Sequence, residues 1–194
     1  VLDLSKIEAG KIEIDRRTCR PISIVSDVVS LLRVRASSKS IEMVSKCDGA
    51  IPVSIDTDAV RLRQILINLV GNAIKFTPEG GRITVTAGYD NTQRLELVVA
   101  DTGVGIAEED REIIFEKFRQ GHVPDADTLT REYSGTGLGL SILKELCKLM
   151  NGEISFESQV GIGSTFRVVI PWSHEDSEVE SEIASKLDDL DRQQ

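Results

Sequence analysis

Residues 61–77 read RLRQILINLVGNAIKFT, and the rest of the chain can be placed around them. Val60, Leu62, Ile65, Leu66, Leu69, Val70, Ala73 and Ile74 recur at the spacing of a helix with an apolar side. Arg61, Gln64, Asn68, Asn72 and Lys75 lie on another side. At ~100° per residue these five fall within roughly 80° of one another, so they form one stripe. A solvated face is the ordinary reading of such a stripe, but the residue types argue against it. Asn is a mediocre helix former whose amide competes for backbone hydrogen bonds. Two Asn one turn apart, with Lys just beyond, supply amide oxygens for a hard cation and an ammonium for phosphate.

The totals narrow the classes. A chain of 194 residues has room for one good-sized domain with extensions. No apolar run approaches the ~20 residues of a membrane span, and the opening VLDLSKIEAG has neither the basic start nor the apolar core of a signal peptide. The pattern is already under way at Val1, which suggests a piece of a longer protein, with any membrane anchor in the missing part. The expected location is cytoplasmic. A net charge of −9 disfavours non-specific binding to nucleic acid or anionic lipid. Cys19, Cys47 and Cys147 are scattered without metal spacing and read as reduced thiols.

Outward from the Asn helix, the chain orders itself. Leu2, Leu4, Ile7 and Ala9 followed by Gly10 look like the tail of a helix. Residues 11–16 alternate as a strand. Pro21 opens a helix to about Ser38, with Ile24, Val25, Val28, Leu31 and Leu32 inward. Short strands are expected at 41–47 and 52–55, and Asp56 or Thr57 as the cap of the Asn helix. Strands at 82–89 and 95–101 form a hairpin across Asp90 and Asn91. Residues 108–118 read as helical, 119–137 as a long polar loop of the functional kind, and 138–150 as an amphipathic helix ended by Asn151 and Gly152. A hairpin at 153–158 and 164–171 closes the domain. The acidic stretch 173–194 reads as a linker or solvated helix, with a short coiled-coil contact as the alternative. The domain is thus 11–172, between a helix end at 1–10 and a tail at 173–194. The predicted fold is α+β: a two-layer sandwich of a mixed, mostly antiparallel sheet with helices on one face.

Two glycine clusters supply the remaining chemistry. Asp101, Thr102, Gly103, Val104 and Gly105 follow a strongly apolar strand. A carboxylate there is usually exposed, paired or capping a turn. It can also accept from an exocyclic amine, with Gly103 and Gly105 letting the backbone approach a flat ring. Adenine is the obvious amine-bearing ring, and an acidic acceptor would select it against guanine. Gly135, Thr136, Gly137, Leu138, Gly139 and Leu140 lead directly into a helix. Free N–H groups and the positive end of the helix dipole make an anion site suited to phosphate. The pattern is neither a P-loop nor a dinucleotide fingerprint.

Four stretches in this order, NLVGNAIKF, DTGVG, FEKF and GTGLGL, resemble the ATP-binding catalytic domain of sensor histidine kinases. That domain belongs to the Bergerat-fold (GHKL) group with gyrase, MutL-type and heat-shock-chaperone ATPases. The resemblance covers about 20–172. VLDLSKIEAGKIEI resembles the end of the dimerisation helix and the first strand in such kinases. The resemblance implies ATP and Mg²⁺ as cofactors, with Asn72 holding the metal, Asn68 supporting it and its waters, and Lys75 near the phosphates. It implies Asp101 on the adenine amino group, with Gly103, Gly105 and Ile106 lining the pocket and Thr165 reaching the adenine side. Phe115 and Phe118 would anchor the lid. Gly135, Thr136, Gly137, Leu138, Gly139 and Leu140 would cover the phosphates, and Arg131 would stabilise the transferring phosphoryl group.

The resemblance also implies a mechanism. The ATPase relatives carry a Glu at the position of Asn68 that activates water, and an amide cannot act as a base. The site should hold ATP for a protein nucleophile, working by positioning and charge stabilisation. The family's acceptor His with its Arg-Thr-Pro run does not precede Arg20. His122 reads as a loop residue, and His174 lacks that context. The chain is therefore expected to transfer phosphate only to a histidine-bearing dimerisation domain supplied from outside it. Its further partner would be a response regulator or receiver domain, and nucleic acid is not expected. The fragment is expected to be a monomer and the full protein a homodimer, hybrid or not. A regulatory nucleotide-binding module without kinase activity and a GHKL-type ATPase are the alternatives.

Overall fold

A computed structural model describes residues 13–49, 51–89, 94–116 and 139–171. The chain runs through β1 (Arg17–Cys19), α1 (Pro21–Ser37), β2 (Glu42–Asp48), β3 (Ile55–Thr57), α2 (Ala59–Phe76), β4 (Arg82–Tyr89), β5 (Arg94–Asp101), a 3₁₀ turn (Glu108–Asp110), α3 (Gly139–Leu149), β6 (Glu153–Gln159) and β7 (Gly163–Pro171). Five strands form the main sheet in the order β2-β4-β5-β7-β6. Among the described residues, only the β2–β4 pair of this sheet is parallel. A separate two-stranded ribbon joins β1 to β3.

The sheet has one apolar face because its strands alternate. Ile83, Val85 and Ala87 of β4, Leu95, Leu97 and Val99 of β5, and Phe166, Val168 and Ile170 of β7 are all buried, and the register sets them side by side. The helices cover this face. Helix α2 is central, lying against α1, α3, β4 and β5. Its buried stripe is Leu62, Ile65, Leu66, Leu69, Val70, Ala73 and Ile74. The α+β sandwich read from the sequence is therefore the observed architecture.

Both ends of α2 are tied down. Asp58 caps the N-terminus, its Oδ1 accepting from the N–H groups of Val60 and Arg61 at 3.0 Å each. At the C-terminus the Lys39 ammonium donates to the carbonyls of Ile74 (3.0 Å), Lys75 (3.3 Å) and Thr77 (2.8 Å). A cation here also opposes the negative end of the helix dipole. The remaining carbonyl of this turn, on Phe76, accepts from Val104 N–H in the loop after β5 at 3.2 Å. The helix end, the α1–β2 connection and that loop are thereby stitched together.

Several local expectations are corrected. The cap is Asp58, not Asp56 or Thr57, because those two are committed to β3. Of the strand expected at 11–16, residues 11 and 12 lie outside the described residues and 13–16 form no strand; the strand lies at Arg17–Cys19, where β3 offers a partner and Thr18 Oγ1 donates to Asp56 Oδ1 at 2.6 Å. The strand expected at 52–55 lies at Ile55–Thr57 for the same reason. Leu31 is 63 % exposed and Val29 takes its place in the core, since the buried stripe of α1 runs through 24, 25, 28, 29, 32 and 36. Val60, in the first turn of α2, is also exposed. The helix expected at 108–118 is, through Glu116, a 3₁₀ turn continued by tight turns. Three consecutive acidic residues open it, and Phe115 is drawn onto Phe156 (centroids 5.7 Å apart, edge to face). The helix end at 1–10, the loop at 119–137 and the tail at 173–194 lie outside the described residues.

Candidate nucleotide site

The site is built where three pieces meet: the stripe of α2, the loop after β5, and the start of α3. Asn68, Asn72 and Lys75 share α2 and are all half-buried. Gly139, the first residue of α3, faces Asn72. A Cβ on it would lie 3.7 Å from Asn72 Nδ2 and 3.8 Å from Oδ1. The end of the second glycine motif is thus brought against the Asn stripe, a segment distant in sequence. Leu140 is partly buried against the core and anchors that approach. Among the described residues neither Asn amide makes a hydrogen bond to protein, which leaves both oxygens available to a cation. Lys75 Nζ lies 4.7 Å from the centre of the Phe76 ring. Burial pushes its pKa below the usual lysine value.

Asp101 ends β5 on the helix-side face of the sheet, directly across from Ile83 and Ser164. Its Oδ1 accepts from Gly103 N–H at 2.8 Å and Ser164 N–H at 3.3 Å. Among the described residues its Oδ2 accepts nothing. Burial raises the carboxyl's pKa, and the two backbone donors oppose that rise in part. The result is a desolvated carboxylate with one oxygen fixed by the backbone and one free to receive an N–H.

The glycines after Asp101 are demanded by the protein itself. A Cβ on Gly103 would come within 2.6 Å of both Phe76 O and Asp101 Oδ1. Gly105 adopts φ +75°, and a Cβ there would lie 2.2 Å from Gln159 O. Gly103 therefore lets the loop reach the end of α2, and Gly105 lets it reach the β6–β7 turn. Ile106 follows, its N–H donating to Ser158 Oγ at 2.8 Å.

Thr165 is the site residue that the structure displaces. It pairs with Ala100 and Glu157, one position off the rung of Asp101, so its side chain is on the opposite sheet face. Ser164 stands beside Asp101 in its place. The signal was available: counting back by two from the core residue Phe166 reaches Ser164. Ser158 and Lys39 were also missed, and no motif marks them. Phe115 rests against Phe156, which stacks on Phe166 with centroids 5.5 Å apart. Phe118, Arg131, Gly135, Thr136, Gly137 and Leu138 lie outside the described residues, as do His122 and His174. No group of three or more His, Cys, Asp or Glu able to hold a metal occurs among the described residues. Among the same residues no helix is long and apolar enough to cross a membrane.

A two-layer α+β fold with a half-buried Asn stripe, a desolvated Asp before a glycine loop and a glycine-led helix facing the stripe defines a class of protein. Residues 57–174, more than half of the chain, match the family described as histidine kinase-, DNA gyrase B-, and HSP90-like ATPase, and the chain belongs to it. Within that family its relatives are histidine kinases. It is 43 % identical over 175 residues to hybrid signal transduction histidine kinase L of Dictyostelium discoideum, covering 88 % of this chain and 10 % of that protein. It is 42 % identical over 175 residues to histidine protein kinase DivJ of Caulobacter vibrioides, covering 88 % of this chain and 28 % of that protein. The chain therefore spans only a minor part of these relatives. Its fold is similar to that of full-length ShkA in complex with AMPPNP (TM-score 0.76, 34 % identity, 89 % of this chain and 34 % of that one). It is also similar to histidine kinase ThkA in complex with the response regulator protein TrrA (TM-score 0.68, 25 % identity, 89 % of this chain and 47 % of that one).

Proposed function

We propose that this chain is the catalytic part of a sensor histidine kinase, binding Mg-ATP and passing its γ-phosphoryl group to a histidine on a dimerisation domain outside it. The observation that carries the reading is the Asp101 carboxylate, half-buried, held at Oδ1 by two backbone N–H groups and open at Oδ2 among the described residues. That geometry suits an exocyclic amine such as that of adenine and disfavours a carbonyl at the same place. The rest of the site lies on the helices that flank it. Asn72 and Asn68 would hold Mg²⁺ through their amide oxygens, and the ion would neutralise phosphate charge. Lys75 would approach the phosphates, its ammonium partly desolvated and so less screened. Gly139 at the start of α3, together with the preceding glycines, would cover the phosphates with backbone N–H groups. Thr165 is not retained in this assignment.

Asn68 gives the site its direction. An amide cannot take a proton from water, so the arrangement favours holding ATP for a protein nucleophile over hydrolysing it. Catalysis then consists of orientation and charge stabilisation. A response regulator or receiver domain is the proposed next acceptor, by analogy with the regulator-bound ThkA. Two measurements test this. Calorimetric titration with AMPPNP, in Mg²⁺ and then in excess chelator, should show metal-assisted binding that Asn72→Ala weakens. A single-turnover assay should then show phosphoryl transfer from ATP to a supplied dimerisation domain. A folded wild-type chain that binds no nucleotide would remove the proposal. Binding without any transfer would leave a regulatory nucleotide module in its place.

A further inference from the structure

One rung of the sheet carries Ile83, Asp101, Ser164 and Ser158, contributed by β4, β5, β7 and β6 in turn. The next rung inward on the same face is Val85, Val99, Phe166 and Phe156. The row is thus the last on this face before the strands give way to loops, and its serines have no place in the function as described above.

Ser158 Oγ has one proton and three polar neighbours. Gly163 O lies 3.0 Å away. A carbonyl only accepts, so it takes the Ser158 proton. Ile106 N–H donates to Ser158 Oγ at 2.8 Å. Ser164 Oγ lies 2.9 Å away, and with the Ser158 proton already committed it can reach Ser158 only by donating. The Ser164 hydroxyl proton is therefore turned toward β6, and only lone pairs remain for anything else that approaches. The backbone of Ser158 is held too, because Arg111 Nη2 donates to its carbonyl at 2.7 Å.

We propose that Ser158 is a positioning residue for base selection, which fixes the Ser164 hydroxyl as an acceptor beside Asp101. The proposal rests on the reading of Asp101 as the group that recognises the base. Its consequence is a pair of neighbouring acceptors, Asp101 Oδ2 and Ser164 Oγ. Such a pair receives an amine and repels a purine carbonyl. Without the Ser158 hydroxyl, the Ser164 proton is free to rotate and can donate to a carbonyl.

The test compares dissociation constants of the 194-residue chain for the imidodiphosphate analogues of ATP and GTP, both with Mg²⁺. The variants are Ser158→Ala, Ser158→Thr, Ser164→Ala and Asp101→Asn. Ser158→Ala is expected to lower the adenine-over-guanine preference by about tenfold. Ser158→Thr, which keeps the hydroxyl, should restore it, and Ser164→Ala should reduce it by a similar factor. Equal weakening of both nucleotides by Ser158→Ala, with the preference intact, would mean a merely structural serine and overturn the proposal. Should Ser158→Ala fail to fold, an unchanged preference in Ser164→Ala overturns it instead. Asp101→Asn separates the two layers. If that variant keeps the wild-type preference, base recognition by Asp101 is wrong. If it abolishes the preference while Ser158→Ala does not, only the Ser158 proposal is lost.

Discussion

Replacing Asp101 by Asn should uncouple binding from stability, and the structure says why. Both backbone donors, Gly103 N–H at 2.8 Å and Ser164 N–H at 3.3 Å, converge on one carboxylate oxygen. In the amide that position must be the oxygen, because a flipped NH₂ would face two donors and lose both bonds. The NH₂ is then forced onto the Oδ2 side, where it presents a donor to the amine that the carboxylate would accept. A hydrogen bond to a charged acceptor contributes about 1.5–3 kcal/mol, so affinity for an adenine nucleotide should fall about ten- to hundredfold. Stability should move the other way. Burial raises the Asp101 pKa, so the folded state disfavours the carboxylate relative to the unfolded chain. That handicap is present above the raised folded pKa and disappears as pH falls through it toward the unfolded value. The neutral amide lacks it at every pH. Calorimetric titration with AMPPNP, with thermal melts on the same samples, checks both halves. Wild-type affinity should also drop on acidification through the raised pKa, a dependence the variant should lose. An Asp101→Asn variant that binds within about threefold of wild type, or that melts lower in the absence of nucleotide, would refute the reasoning.

Two further outcomes concern the end of α2. Lys39→Met removes a half-buried ammonium from three carbonyls, and urea unfolding should show a loss of about 1–3 kcal/mol; Lys39→Arg should recover part of it. Thr77 is fully buried, and its Oγ1 has no hydrogen-bond partner among the described residues. Thr77→Val should therefore stabilise the chain by about 1 kcal/mol, read as a melting temperature higher by about 2–4 °C.

Much of the fold was legible because its signals are local. The apolar stripe of α2 and the alternation of β4, β5 and β7 are properties of short windows, and burial follows them residue by residue. Element ends were less legible where a partner decides them. β1 sits at Arg17–Cys19 because β3 pairs there, and the cap falls to Asp58 because β3 uses the two residues before it. Leu31 was misplaced by one step of the helical period, an error that only the direction of the packed face can correct.

The sequence by itself determined the chemical inventory: an Asn-Asn-Lys stripe on one helix, an acidic acceptor ahead of a glycine loop, and a glycine-led helix. Those are residue types at fixed spacing, and a chain carries them whatever its neighbours do. Only the tertiary structure decided which groups meet. The rung that joins Asp101 to Ser164 and Ser158 is a matter of strand register, and a shift of one residue would have put Thr165 there instead. The approach of Gly139 to Asn72 and the clamp of Lys39 on the last carbonyls of α2 link segments distant in sequence. Register and helix packing are set by the burial of the whole apolar face at once, so no single window of sequence contains them.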